Sequence, residues 1–373
     1  MSPDEAPPYF PSLQWRFLSS VIMGVTGSMS RIFLYGLSGL EVIGLEKFLE
    51  KIERRNDIEG RKRGLVTVSN HISVVDDPLI WGVLPFSHTF NPSNLRWSLG
   101  SYDICFKSRL LSAFFNFGQV LPTHRSTHSK YGGLFQPTIS QAIRLLSAQP
   151  FTPPVDSNHL EFYDPFTTGS MTYTTTGSDL FPSPSYYPSR KYSWVHIFPE
   201  GRVHQHPHRT LRYFKWGVSR LILESEPMPE VIPIFIDGNQ EVMAEDRGFP
   251  QFLPRTGKHI RIAFGEIVDG EKVFGELRER WKQLVQNQKQ ILQEKGINVQ
   301  WEMGELSDDL KFGNEAVEIR KEVTNRVRNE ILKLRRSLGY PDEDSKQGLM
   351  ETWIKEGPKL TGKMDDGSWV GKT

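Results

Sequence analysis

The sequence predicts an α/β fold in which helices flank a sheet. Three observations lead there. Between residues 64 and 270, short β-rich runs alternate with helical patterns, as they do where strands and helices pack in layers. A chain of 373 residues is ample for one large core or two small ones. The reactive side chains gather just after apolar runs, at the strand ends where open α/β sheets collect ligands.

In chain order, residues 1–14 hold Asp4, Glu5 and four prolines before residue 12 and are expected to be disordered. They match neither a secretory signal nor a cleaved matrix presequence. Residues 15–45 form a helical segment. Between Arg16 and Glu41 the only charge is Arg31, and Phe17, Leu18, Val21, Ile22, Val25, Met29, Ile32 and Phe33 recur at helical spacing opposite Ser, Thr and Gly. One reading is a helix packed on the core. The other is a helix lying in a membrane interface, with Trp15 and Arg16 at the headgroup level. Gly24, Gly27, Gly36 and Gly39 weaken the helix. No run of 18 apolar residues occurs, so no ordinary membrane-spanning helix is expected.

Residues 46–270 form the main domain. Strands are expected at Leu65–Val68, Leu95–Leu99, Gln119–Leu121, Trp194–Phe198, Val231–Ile236 and Ile260–Phe264. Helices are expected at Pro78–Leu84, Phe106–Phe117, Gly133–Ser147 and Trp216–Glu224. Residues 149–192, rich in Pro, Ser, Thr, Gly and Tyr, interrupt the pattern as an inserted loop. Pro233 marks the Val231–Ile236 strand as an edge or bulge. Residues 271–340 carry two helical stripes. The second has a basic face of Arg320, Lys321, Arg326, Arg328, Lys333, Arg335 and Arg336, which reads as solvated surface or as a contact for anionic lipid. Residues 341–373 read as a disordered tail.

A net charge of +1 gives no global field for nucleic acid. Cys105 is the one cysteine, so no intrachain disulfide forms. The chemistry centres on Ser69-Asn70-His71-Ile72-Ser73-Val74-Val75-Asp76-Asp77-Pro78. His71 falls where strand gives way to loop, and Asp76 can fold back onto its ring. A carboxylate on one ring nitrogen fixes the tautomer and leaves the other as a base for a hydroxyl proton. The alternative is a loop histidine near a helix start, with Asp77 as N-cap and Pro78 in the first turn. In Trp194-Val195-His196-Ile197-Phe198-Pro199-Glu200-Gly201-Arg202, Glu200 can accept from substrate hydroxyls and Arg202 can grip a phosphate with both arms. An ordinary loop salt bridge would explain the same pair. Gly118-Gln119-Val120-Leu121-Pro122-Thr123-His124-Arg125-Ser126 ends on another arginine. His204, His206 and His208 alternate, but Pro207 and polar neighbours argue for loop rather than metal site.

Taken in this order, Asn-His-x4-Asp, the stretch after Gly118, Phe-Pro-Glu-Gly and the later proline-bearing strand resemble the four motifs of the glycerolipid acyltransferases. The resemblance covers about residues 15–270. It implies a mixed sheet flanked by helices, with an N-terminal interfacial helix and C-terminal helices. It also implies His71 as general base, Asp76 as its orienting partner, and Arg125, Glu200, Gly201 and Arg202 as substrate-binding residues, with no cofactor, metal or covalent acyl-enzyme. SNHISVVDDPLIWG, WVHIFPEGRV and LRYFKWGVSRLILE resemble, more narrowly, the members that remodel cardiolipin without CoA. That implies acyl exchange among phosphatidylcholine, monolysocardiolipin and cardiolipin. It implies monotopic or peripheral attachment to inner and outer mitochondrial membranes, facing the intermembrane space. An acyl-CoA-dependent lysophospholipid acyltransferase and a non-catalytic lipid-binding protein are the alternatives. Two departures stand out. The insert is longer than the family requires, and Thr123-His124-Arg125-Ser126 lacks the usual Arg-Gly pair.

Overall fold

The computed structural model describes residues 8–148, 172–297, 301–349, 362–364 and 367–370. The expectations for residues 1–7, for 149–171 of the insert and for 350–361 of the tail lie outside these.

Helix α1 (Leu13–Leu37) starts at Ser12, whose hydroxyl accepts from the Trp15 amide at 3.2 Å. Its inward face is small: Ser19, Gly24, Gly27 and Ser30 are buried, with Met23 and Leu34. The glycines that weaken the helix in isolation serve close approach. A Cβ on Gly24 would sit 2.1 Å from the Phe90 ring. The large apolar side chains therefore point outward, and Leu13, Phe17, Val21, Val25, Met29 and Ile32 are exposed. By length and composition α1 could cross a membrane, with a mean hydropathy of 1.4. This corrects the expectation of no such helix: single Ser, Thr and Gly residues interrupt an apolar run without much lowering its average.

β1 (Gly39–Ile43) and α2 (Leu45–Arg54) follow, then β2 (Leu65–Ser69), α3 (Asp76–Gly82), α4 (Phe86–Thr89) and β3 (Trp97–Ser101). The expected Phe106–Phe117 helix begins three residues later, at Arg109, and a separate short helix precedes it. Residues Tyr102–Cys105 form α5, and Ser108 caps a separate α6 (Arg109–Phe117), accepting from Leu111 at 3.3 Å. β4 (Val120–Thr123) and α7 (Pro137–Leu145) come next. The described part of the insert is ordered, with β5 (Thr172–Tyr173) and β6 (Phe181–Pro182) paired and Tyr173 buried. β7 (Trp194–Ile197), β8 (His204–Gln205), α8 (Gly217–Glu224), β9 (Glu230–Asp237), α9 (Asn239–Val242) and β10 (His259–Phe264) complete the main domain. α10 (Gly270–Glu294), α11 (Asp308–Phe312) and α12 (Asn314–Ser337) follow, with β11 (Gly362–Lys363) and β12 (Trp369–Val370) in the tail.

Seven strands form one mixed sheet in the order β1-β10-β9-β2-β7-β3-β4. β9, β2, β7, β3 and β4 run parallel to one another, while β10 is antiparallel to β9 and β1 parallel to β10. Both faces are covered, which is why the central strands read as continuous apolar runs. Val66, Val195, Val231 and Phe235 meet α7, α8, α10 and α12 on one face; Leu65, Ile232, Ile234 and Ile236 meet α1, α2 and α3 on the other.

Three expectations change. β9 is central, not an edge. Pro233 is tolerated because its missing N–H faces Gly265, beyond Phe264↔Ile234 where the β9–β10 ladder ends, while its carbonyl accepts from the Gly265 amide. The basic face of α12 is divided. Arg320, Arg328 and Arg335 are buried and donate to backbone carbonyls, while Lys321, Arg326, Lys333 and Arg336 pair with acids nearer the surface. The tail is not wholly free: Glu343 pairs with Arg328, and β12 adds to β8.

Candidate active site

The parallel strands end on one side of the sheet. The loops after β2, β4, β7 and β9 therefore meet there, carrying His71, Arg125, the Glu200–Arg202 turn and Asn239. His71 Nδ1 lies 2.9 Å from Asp76 Oδ2. Asp76 is wholly buried. Its Oδ2 also accepts from the amides of Ile72 at 2.7 Å and Ser73 at 2.8 Å, and its Oδ1 from Asn239 Nδ2 at 2.9 Å. The His71 ring stacks on Phe198, centroids 4.4 Å apart. With Nδ1 engaged, Nε2 is the ring nitrogen left for chemistry.

His71 lines a cavity of about 680 Å³. One part of its wall is apolar, with Leu99, Ile104, Phe115, Val120 and Phe214; another carries Arg125, Arg202 and Lys215. Such a wall suits an amphiphile with an anionic head. Burial, then the nearby Arg212 and Arg125, hold the Arg202 guanidinium below its usual range. Arg202 Nη2 donates to Thr127 Oγ1 at 3.0 Å. Lys215 reaches solvent at the cavity wall, yet protein crowding and the charges of Arg202, Arg212 and Arg125 push it down to about 8. Gly201 adopts φ +63°, and a Cβ there would sit 2.7 Å from Lys215 Nζ. Only glycine permits both the turn and the lysine's place.

Two expected substrate contacts are occupied by the protein. Glu200 is buried, and its oxygens accept from the His71 amide at 3.0 Å and the Arg212 amide at 3.1 Å. Burial pushes its carboxyl up to about 8. It ties two loops together rather than facing a substrate hydroxyl. Arg125 lines the cavity but pairs with Asp103. Its Nη1 has no partner among the described residues.

Asp77 is not the helix cap. Val75 holds that position, and Asp77 takes Arg96 and the Trp81 indole, at 3.1 Å. Burial would raise its carboxyl, but Arg96 outweighs that and holds it low. His196, under the site, is kept neutral by burial, which pushes it down to about 3. Burial raises the Cys105 thiol on the cavity wall to about 11, so it is no ready nucleophile. Asn239 and Phe198 were not among the residues expected from the sequence to form the site. An asparagine after Gly238 gives only a turn signal, and nothing in its local pattern points to Asp76.

The profile of the acyltransferase family matches residues 40–237. The tafazzin of Saccharomyces cerevisiae is 34% identical over 94% of this chain and 86% of its own. The tafazzin of Drosophila melanogaster is 27% identical over 72% of this chain and 56% of its own. The N-acylphosphatidylethanolamine synthase of Arabidopsis thaliana is 29% identical over 57% and 60%. The protein is an acyltransferase acting on phospholipids, on the fold and motif order described above. Within that class the chain belongs to the tafazzin family.

Proposed function

We propose that the protein exchanges acyl chains between phospholipids and lysophospholipids without CoA, with cardiolipin species among its substrates. The observation that carries this is the His71–Asp76 pair, held at 2.9 Å and opening on a cavity with apolar and cationic walls. His71 Nε2 takes the proton of the acceptor hydroxyl as its oxygen attacks the donor ester. The tetrahedral oxyanion collapses, and the imidazolium returns the proton to the departing lysolipid oxygen. One ester replaces another, so the step is nearly thermoneutral and lipid packing biases the product. Arg202 and Lys215 are the candidate phosphate ligands, with Arg125 on the same wall of the cavity.

The exposed apolar face of α1 supports attachment to one leaflet. Its opposite face, from Ser19 to Leu34, is covered by the domain, which favours lying on the bilayer over crossing it. Mitochondrial membranes facing the intermembrane space are the proposed location, by kinship with the tafazzins.

The test uses the full chain, vesicles of labelled phosphatidylcholine and monolysocardiolipin, and no CoA. Label should appear in cardiolipin. Strict dependence on added acyl-CoA would replace this reading with the acyl-CoA-dependent one. Label on the amine of phosphatidylethanolamine would favour the activity for which the plant relative is named.

A further inference from the structure

Among the described residues, every donor to the Asp76 carboxylate but one comes from its own loop. His71 Nδ1 and the amides of Ile72 and Ser73 all converge on Oδ2. Oδ1 receives Asn239 Nδ2 at 2.9 Å. Asn239 is wholly buried and arrives from 163 residues away. Its own Oδ1 has no partner among the described residues. Facing an ionised carboxylate, the amide must present its N–H₂. The turn that delivers it is exacting. Gly238 adopts φ +94°, and a Cβ there would sit 1.9 Å from the His259 carbonyl.

We propose that Asn239 is a positioning residue for the acyl transfer: it fixes the rotation of the Asp76 carboxylate and so holds His71 in the working tautomer. The inference rests on the His71–Asp76 reading above. It gives the strand bearing Pro233 a chemical task, because β9 ends in the turn that carries Asn239. A buried carboxylate with three donors on one oxygen and none on the other leaves the bare oxygen unsatisfied and nothing on that side to stop the group turning.

Two variants of the full chain test it. Asn239→Leu keeps the branching at Cγ and removes the donor. At saturating lipid its kcat should fall at least ~10-fold with little change in KM, since Asn239 lies beneath Asp76 and does not line the cavity. Asn239→Asp keeps the shape and places a second carboxyl against Asp76. Such a pair holds one shared proton near neutrality and resists losing it. While that proton is shared, an O–H replaces the lost N–H and activity persists. Once it leaves, the two facing carboxylates repel, and Asp76 is turned off His71 Nδ1. The rate of Asn239→Asp should therefore drop at alkaline pH where wild type does not. Asp77, Arg96, Glu200, His196, Arg209, Asp237, Glu241, Glu245, His259 and Arg261 are titratable or charged groups on the surrounding elements, and neither variant alters them. A residue that merely fills space would give a pH-independent loss or none.

His71→Ala is measured alongside on the same vesicles. If it is inactive while both Asn239 variants keep wild-type kcat and pH profile, this inference alone is overturned. If His71→Ala is active, the dyad falls and the inference with it. If Asn239→Leu fails to fold, the pH profile of Asn239→Asp decides.

Discussion

Replacing Asp76 by asparagine removes the charge under His71 while changing almost nothing in shape. In a catalytic triad this change costs ~10⁴-fold, because the new amide imposes the wrong tautomer on the histidine. Here the surroundings resist that. The Ile72 and Ser73 amides point at Oδ2 from 2.7 and 2.8 Å. The oxygen of the new amide must therefore take that place, where it still accepts from His71 Nδ1. Its amine then faces Asn239, which can turn its unpartnered Oδ1 toward it. The tautomer survives and the loss is electrostatic. A unit charge ~4 Å from the imidazolium contributes at most ~4 kcal/mol at an effective dielectric of ~20. Exchanging a charge-assisted hydrogen bond for a neutral one costs ~1–2 kcal/mol. A loss of about 2–4 kcal/mol in the transition state is ~30- to 10³-fold in rate. The assay is the initial rate of label transfer at saturating lipid, with a thermal melt to show that the variant folds. A drop of ~10⁴-fold, equal to or greater than that of His71→Ala, would mean the two amides do not hold the oxygen. A rate within a few-fold of wild type would mean that no imidazolium develops. Either result refutes the reasoning.

Lys215→Met should raise KM for the anionic lysolipid at neutral pH. In wild type that KM should climb as pH rises through about 8, where the lysine sheds its charge, and the variant's should stay flat across that range. Glu200, raised to about 8 in the fold from an ordinary value near ~4.3, contributes stability that is full below ~4.3 and lost progressively as pH rises to about 8. Denaturant melts at acid, neutral and alkaline pH should show wild type losing stability that Glu200→Gln does not, and parallel curves would refute the assignment. Replacing Phe17, Met29 and Ile32 together by Ser should leave the melting temperature nearly unchanged, because all three are exposed. Vesicle binding should weaken at least ~100-fold, since each side chain transfers ~1.5–3 kcal/mol of apolar burial. High salt should not mimic this effect, and flotation with vesicles measures both.

The sheet was legible because its strands are buried on both faces and so spell continuous apolar runs. β1 was not: Gly39-Leu40-Glu41-Val42-Ile43 is short, carries a charge and lies at the sheet's edge. His71 and Asp76 were legible because five residues of loop suffice to join them. Glu200 was legible as an important residue and misread in direction, since a carboxylate in a turn gives no sign of whether it faces ligand or backbone. Asn239 was illegible: its partner lies 163 residues away, and only the pairing of β9 with β2 brings them together. The α1 stripe was legible as a helix, but not which way it faced. The orientation is set by Gly24 and Gly27, which let Phe90 and Thr89 approach the helix backbone.

The arginines of α12 tie the C-terminal region to the chemistry. A helix with Arg at 320, 328 and 335 reads as a solvated basic face, yet these three turn inward. Arg328 donates to the carbonyls of Leu211 at 2.9 Å and Arg212 at 3.2 Å, and Arg335 to those of His208 at 3.0 Å and Arg209 at 2.9 Å. Glu343 pairs with Arg328 and accepts from the Leu211 amide at 2.7 Å. The loop so gripped presents the Arg212 amide to Glu200, and Glu200 in turn holds the His71 amide. A hydrogen-bonded path therefore runs from α12 and residue 343 through the 208–212 loop to His71. Long guanidinium arms suit this task, because one side chain can satisfy two carbonyls of a loop that has no strand or helix to satisfy them. The loop stays irregular where the cavity needs it and is fixed from behind by a helix outside the matched acyltransferase segment, 40–237. Helix α12 is therefore part of the active-site scaffold, not an appendage to it.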